Sequence, residues 1–371
     1  MSDSNTAPTA TPASSPTPAP AAAPTSSRGR SRGGSGSGGR VIAKWLGRLA
    51  SLAVVLVIAL AIAGALYQTV GLAGDQQRFP PPGKLFGLPG YWLHLYCLGD
   101  RKEGSPTVVL ETTAGGVSPY WGWVQPAAAK DTEVCSYDRA GRAWSDRSPN
   151  RPDGKQIVED LHDLLVKAGV AGPFVLVGHS IGGLYVRMYA AKFPEKVVGM
   201  VLVDAAHPDQ NRRSPRLFKE TDDYLGRSLF YSWMANLGLF RLSFARGETL
   251  DFGTLPPQQL AEVKAIWSTG QYFTSQRAEL IASRDTFDQA QALGPLGDLP
   301  LAVVSAGRDT ESEWPALQDE LAQLSTNSSH HTVADATHTS LVFAQEPASA
   351  VVAAIHEVVE AVRTKGKVGG H

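Results

Sequence analysis

The chain has 371 residues, with 34 Lys and Arg against 35 Asp and Glu and a formal net charge of -1. That balance excludes the concentrated basic face of a nucleic-acid binder, and a hydrophobic content of 43% excludes a chain disordered throughout. Two cysteines outside any C-x-x-C pair exclude a disulfide-built scaffold and a structural zinc site, and the absence of a G-x-x-x-x-G-K-[ST] run excludes a P-loop.

In chain order, residues 1–44 form the first segment. Of the first 40 residues, 33 are Ala, Gly, Pro, Ser or Thr. Such a stretch buries too little apolar surface to offset its ordering entropy, so a disordered tail is expected. The first 48 residues carry six basic groups and one acidic group, whereas the remainder carries 28 and 34. Residues 49–67, LASLAVVLVIALAIAGALY, then run without charge. Nineteen helical residues at ~1.5 Å each reach ~28 Å, close to the hydrocarbon thickness of a bilayer. A transmembrane signal-anchor helix is therefore expected over 45–74, with Trp45 and Tyr67 near its two interfaces. Basic residues on its amino side place the tail in the cytoplasm and the bulk of the chain outside. The small-x-small sequence Ala63-Gly64-Ala65 also fits signal cleavage and secretion; under either reading the bulk of the chain is exported. Residues 75–83, with Pro80, Pro81 and Pro82, read as a linker.

From residue 84 the pattern becomes α/β. Apolar runs predict strands over 91–98, 107–110, 133–137, 174–177, 198–203 and 299–304. Helical spacing predicts helices over 157–168 and 181–192, the latter stopping before Pro194. Alternating strands and helices imply a mostly parallel sheet covered on both faces. From about residue 207 to 298 the alternation stops. That stretch reads as a helical cap inserted over the carboxyl edge of the sheet, with Tyr224, Phe230, Tyr231, Trp233, Phe240 and Phe244 as packing or substrate-contacting aromatics.

Gly178-His179-Ser180-Ile181-Gly182 follows an apolar strand directly and opens a helix. This is the setting a G-x-S-x-G nucleophile turn requires. A serine on so tight a turn needs tiny neighbours two residues away on each side. With this turn, with Tyr137-Asp138-Arg139-Ala140-Gly141-Arg142-Ala143-Trp144-Ser145 after the fourth strand, and with Thr337-His338-Thr339 in the last loop, residues 84–363 resemble the α/β-hydrolase superfamily in its lipase, esterase and peptidase-like branch. Ala143 stands where the family's Y-D-x-x-G-x-G-x-S loop has a second glycine.

The resemblance implies an eight-stranded, mostly parallel sheet, residues 84–371 as the hydrolase domain, and no cofactor or metal. It implies Ser180 as nucleophile and His338 as base, from the order Ser…acid…His. Among the other histidines, His330 and His331 could pair on a metal, but no third ligand is spaced to join them. For the acid, Asp309 in the loop after strand 299–304 is the expected residue, with Asp204 one strand earlier as the alternative and Glu311 or Glu313 behind both. Oxyanion donors are expected at the N–H of Ile181 and at Ala114 or Thr113; Thr112-Thr113 replaces the family's frequent His-Gly. Cys97 and Cys135 fall on the second and fourth strands, neighbours in the family's order 1-2-4-3-5, so a disulfide between them is expected in an oxidising compartment, with two buried thiols as the alternative. The implied activity is cleavage of a carboxylic ester or an amide, lipidic substrates among them, through an acyl-enzyme. Acyl transfer to another acceptor, or a catalytically inactive envelope interaction module, are the other readings.

Overall fold

A computed structural model of the chain describes residues 37–248 and 254–369. Of the tail expected over 1–44, residues 1–36 lie outside them. Contacts divide the chain into Met1–Val57 and Ile58–His371. The described part of the first unit is the beginning of one helix, α1 (Ser37–Arg78), the single described helix long and apolar enough to cross a membrane. It is longer at both ends than the expected 45–74: residues 37–44 of the expected tail and 75–78 of the expected linker extend a helix already nucleated by the apolar run. Arg78 closes its last turn, and the prolines at 80–82 cannot continue it. Leu52, Val57 and Leu60 each expose more than 60% of their surface. Gln68, further along the same helix, is buried.

The second unit carries one sheet of eight strands: β1 (Lys84–Leu88), β2 (Tyr91–Leu98), β3 (Thr107–Glu111), β4 (Val134–Asp138), β5 (Phe174–His179), β6 (Val197–Val203), β7 (Leu301–Ala306) and β8 (Ser328–Val333). Their order is β1-β2-β4-β3-β5-β6-β7-β8. The pairings β1–β2 and β2–β4 are antiparallel and the others parallel. Strands β3, β5 and β7 are buried at every position, which is why they read as continuous apolar runs rather than alternating ones. Helices α2 (Val124–Ala128), α3 (Gly154–Ala168) and α4 (Gly182–Lys192) lie between strands β3 and β6 in the chain. Asp153 caps α3 by accepting from the Gln156 N–H at 3.0 Å, and Gly169 ends it in the left-handed conformation.

After β6 come α5 (Gln210–Arg213), α6 (Pro215–Asn236), α7 (Leu239–Ala245), α8 (Pro257–Trp267) and α9 (Gly270–Ala290), the helical insertion expected over 207–298. The chain then returns to β7, α10 (Trp314–Ala322), β8, α11 (Ser340–Phe343) and α12 (Gln345–Thr364). α12 packs its buried face, including Val351, Ile355 and Val358, into the same core as Val201 and Val304 of the sheet.

Cys97 and Cys135 stand directly opposite each other on β2 and β4 and are joined by a disulfide across 38 positions of sequence. Closing such a loop restricts the unfolded chain. Replacing both cysteines by alanine is expected to lower stability by about 2–4 kcal/mol in denaturant titration of otherwise intact protein. Unchanged stability would show that the bridge is absent from the folded protein or contributes nothing to it.

Candidate active site

The site forms where β5, β6 and the loop after β8 end together. Ser180 follows β5 with φ +58°, the left-handed strain of a nucleophile turn. The turn tolerates nothing larger than glycine around it. A Cβ on Gly178 would stand 2.6 Å from the Gly182 carbonyl oxygen, and one on Gly182 would stand 2.7 Å from that of Glu111. The second contact brings the loop after β3 against the first turn of α4. There Ala114, Ser180 and Ile181 line one cleft of about 130 Å³. Its remaining wall comes from Ala206 and Gln210 and from the cap, with Thr221, Leu280 and Phe287 among the lining side chains.

Asp204 follows β6, which pairs with β5 through Val203 opposite His179. The Ser180 N–H donates to the Val203 carbonyl at 3.1 Å, and the Ala206 N–H donates to the Ser180 carbonyl at 2.8 Å. These bonds fix the two strand ends side by side. His338 places Nδ1 2.6 Å from Asp204 Oδ2. The other carboxylate oxygen, Oδ1, accepts from the Ala306 N–H at 3.0 Å and from Trp314 Nε1 at 2.8 Å. Burial alone would raise the Asp204 carboxyl, but the hydrogen bond and charge of His338, joined by Trp314 and Ala306, hold it below the usual carboxylate range.

Of the two candidate acids, the structure brings Asp204, the alternative, and not Asp309 against His338. Asp309 is exposed and, among the described residues, has no ion pair or hydrogen bond; Asp204 is the carboxylate against His338. The reason lies in the course of the loop after β7. Gly307 packs against the Ala334 backbone, and the Arg308 N–H donates to the Ala336 carbonyl at 2.9 Å. The loop is thus tied to the chain leaving β8 and carries Asp309 into solvent. Glu311 and Glu313 point instead to surface arginines, Arg216 and Arg213.

The remaining histidines fall elsewhere. His94 is buried against Asp138 at 2.7 Å, His162 stacks on Phe193, and His356 pairs with Asp131. His330 and His331 lie within β8 and face Asp319 and Glu357 respectively. The buried His179 sends Nε2 to the His338 carbonyl at 3.1 Å. Burial, reinforced by the charge of His338, pushes its pKa down to about 3, so it stays neutral and supports the His338 loop.

A buried ionic cluster behind the cleft was not legible in the sequence. Arg139, at the end of β4, donates to Glu111, to the carbonyls of Thr112 and Thr113, and to Glu279 at 2.9 Å. Arg142 donates to the other Glu279 oxygen at 2.6 Å. Burial pushes the Glu111 carboxyl up despite its contact with Arg139. Glu279, between two guanidinium groups, is held below the usual range although burial acts in the opposite direction. One guanidinium thereby ties the loop bearing Ala114 to helix α9 of the cap. The partners are 140 positions apart, and no local pattern joins them.

Residues 106–345 match the model of the alpha/beta hydrolase fold, and the chain belongs to that family. An uncharacterized protein of Schizosaccharomyces pombe is 30% identical over 295 residues, covering 69% of this chain and 52% of its own. An uncharacterized vacuolar membrane protein of Saccharomyces cerevisiae is 31% identical over 134 residues, covering 32% of this chain and 21% of its own. The chain thus spans about half, or less, of the length of these relatives. A thermophilic esterase from Thermogutta terrifontis shares the fold at a TM-score of 0.55 and 21% identity, covering 76% of this chain and 98% of its own. The Cif epoxide hydrolase from Acinetobacter nosocomialis does so at 0.62 and 16%, covering 80% and 96%.

Proposed function

We propose that this chain is a membrane-anchored serine hydrolase that cleaves carboxylic esters through an acyl-enzyme, and that Asp204 rather than Asp309 completes its triad. The observation that carries the reading is the Asp204–His338 pair held at 2.6 Å beside the strained Ser180 turn. With Nδ1 engaged by the carboxylate, Nε2 of His338 is the ring nitrogen left to act as base. It takes the hydroxyl proton of Ser180 as Oγ bonds to the ester carbonyl carbon. The N–H groups of Ile181 and Ala114 receive the negative charge that develops on the carbonyl oxygen. His338 then returns the proton to the departing alcohol, and water, activated in the same way, releases the acid and restores Ser180. Serine at the turn argues against the epoxide chemistry of the neighbour named above, because relatives of that kind use an aspartate nucleophile there. The six basic groups before the apolar run support a cytoplasmic tail and an exported catalytic domain.

The cleft of about 130 Å³ is small beside drug-sized ligand pockets, so short acyl groups fit best. A panel of aryl esters from acetyl to palmitoyl is expected to show kcat/KM falling by about 10-fold or more beyond the length the cleft admits. On intact cells, a protease added outside should abolish the activity. Absence of turnover on every ester would sink the hydrolase reading. Activity surviving the protease would sink the orientation alone.

A further inference from the structure

We propose that the outer face of helices α6 and α7 of the cap is seated in the bilayer, in the leaflet at the carboxyl end of α1. The inference rests on the membrane-anchor reading of α1 and goes beyond it: the anchored domain does not hang free on a linker but is itself partly immersed.

Within the second unit, α1 packs on the cap along one stripe. A Cβ on Gly64 would stand 2.6 Å from the Leu237 carbonyl oxygen, and one on Gly238 would meet the Tyr67 ring at 2.8 Å. Gln68 donates to the Ser268 carbonyl at 2.6 Å and accepts from Arg241 at 3.1 Å, and Arg241 pairs with Asp75 at 2.7 Å. Gly64 lies three residues inside the apolar run that ends at Tyr67, a depth of about 4.5 Å along the helix. A bilayer that solvates this run therefore reaches the level of Leu237. The cap surface next to that point has to be compatible with lipid.

It is. Leu229, Phe230 and Trp233 expose 61%, 56% and 55% of their surface; Leu229 and Trp233 precede Leu237 by eight and four residues, and Phe230 joins them three before Trp233 and seven before Leu237. Phe230 and Trp233 stack on one another with centroids 5.9 Å apart. Leu239 and Leu242, also exposed, continue the patch on α7. The inner face of α6 is spent elsewhere: Ser228, Ser232 and Ala235 are buried, and Tyr231 packs toward Phe240 and Phe273. The charge pattern agrees. From Tyr224 to Gly247 there is no acidic residue, and the three charged residues are Arg227, Arg241 and Arg246. Glu220, Asp222 and Asp223 lie in the amino-terminal half of α6; its carboxyl half and α7 present an apolar, aromatic face with basic residues and no acids, the composition of a helix lying at a membrane interface, with its apolar side about 5–10 Å into the headgroup and acyl boundary.

Nitroxide labels on single cysteines test this in the full chain, because the two native cysteines are bridged. Phe230→Cys, Leu60→Cys and Val166→Cys are each labelled and reconstituted into phosphatidylcholine vesicles, and collision rates with oxygen and with a water-soluble nickel chelate are compared. Val166, an exposed apolar residue on α3, reports the aqueous surface. The expected result is a lipid-like ratio at Leu60, a water-like ratio at Val166, and at Phe230 a ratio corresponding to a depth of about 5–10 Å. A lipid-like Leu60 with Phe230 matching Val166 overturns the immersed cap and leaves the anchor standing. A Phe230 label shielded from both reagents would indicate a protein partner, such as a second copy, and also overturns it. A water-like Leu60 overturns the anchor and the immersed cap together.

Discussion

Alanine in place of Ser180 will abolish labelling by a fluorophosphonate probe and lower turnover by about 10⁶. The size of the effect follows from how completely the chemistry is concentrated in one hydroxyl. The elbow itself should survive the change. Its left-handed backbone, φ +58°, is imposed by Ser180 N–H bonding to Val203 and Ala206 N–H bonding back to the Ser180 carbonyl, and neither bond involves the side chain. The approach of neighbouring backbone depends on Gly178 and Gly182, which remain. The variant should therefore fold with an unchanged cleft and still bind ester, with the oxyanion donors intact. Labelling retained on Ser180→Ala protein would move the nucleophile elsewhere.

Asp204→Asn should lower turnover by about 10⁴, while Asp309→Asn should leave it within the small range of a surface substitution. The asparagine fails in either amide orientation. With its NH₂ toward His338, it demands that Nδ1 accept, which puts the imidazole proton on Nε2, where the base must be unprotonated. With its oxygen toward His338, the NH₂ is driven against two donors, the Ala306 N–H and Trp314 Nε1–H, which now bond the carboxylate at 3.0 and 2.8 Å. A buried donor without an acceptor costs about 1–3 kcal/mol, so the wrong tautomer is the less costly outcome. Steady-state kinetics of the two variants on the same ester, with circular dichroism to establish folding, decide the matter. The reverse ranking would return the acid to the loop after β7.

Most of the sheet was legible because buried parallel strands are apolar without interruption. β2 begins and ends where its pattern does, and β3, β5 and β7 differ from expectation by a residue or two at their ends. β1 and β8 were not assigned as whole strands, since they lie at the two sheet edges. The β8 sequence SSHHTV has no buried position and so carries no hydrophobic period. Ser180 and His338 were legible because a tight turn and a final loop leave local marks. Which aspartate meets His338 was not. Asp204 and Asp309 both follow parallel strands, and both adopt positive φ. The choice between them is made by contacts across 102 to 134 positions, from Ala306, Trp314 and His338. Nothing in the neighbourhood of either aspartate encodes those partners.

The cluster of Arg139, Arg142 and Glu279 limits how substrate can come and go. Glu279 belongs to α9, and its carboxylate is buried between two arginines of the loop after β4. Swinging the cap outward as one rigid lid would strip that carboxylate of its partners, at a cost on the order of 3–5 kcal/mol, which thins the open population by more than about 10². α9 is therefore a fixed post. α6, whose Thr221 and Asp222 border the cleft, is tied to that post by Tyr224 to Gln276, by Arg277 to the Leu225 carbonyl and to Ser228 at 2.9 Å, and by Arg284 to Asp222 at 2.8 Å. The cap is thus held over the sheet as a braced roof and not as a hinged one.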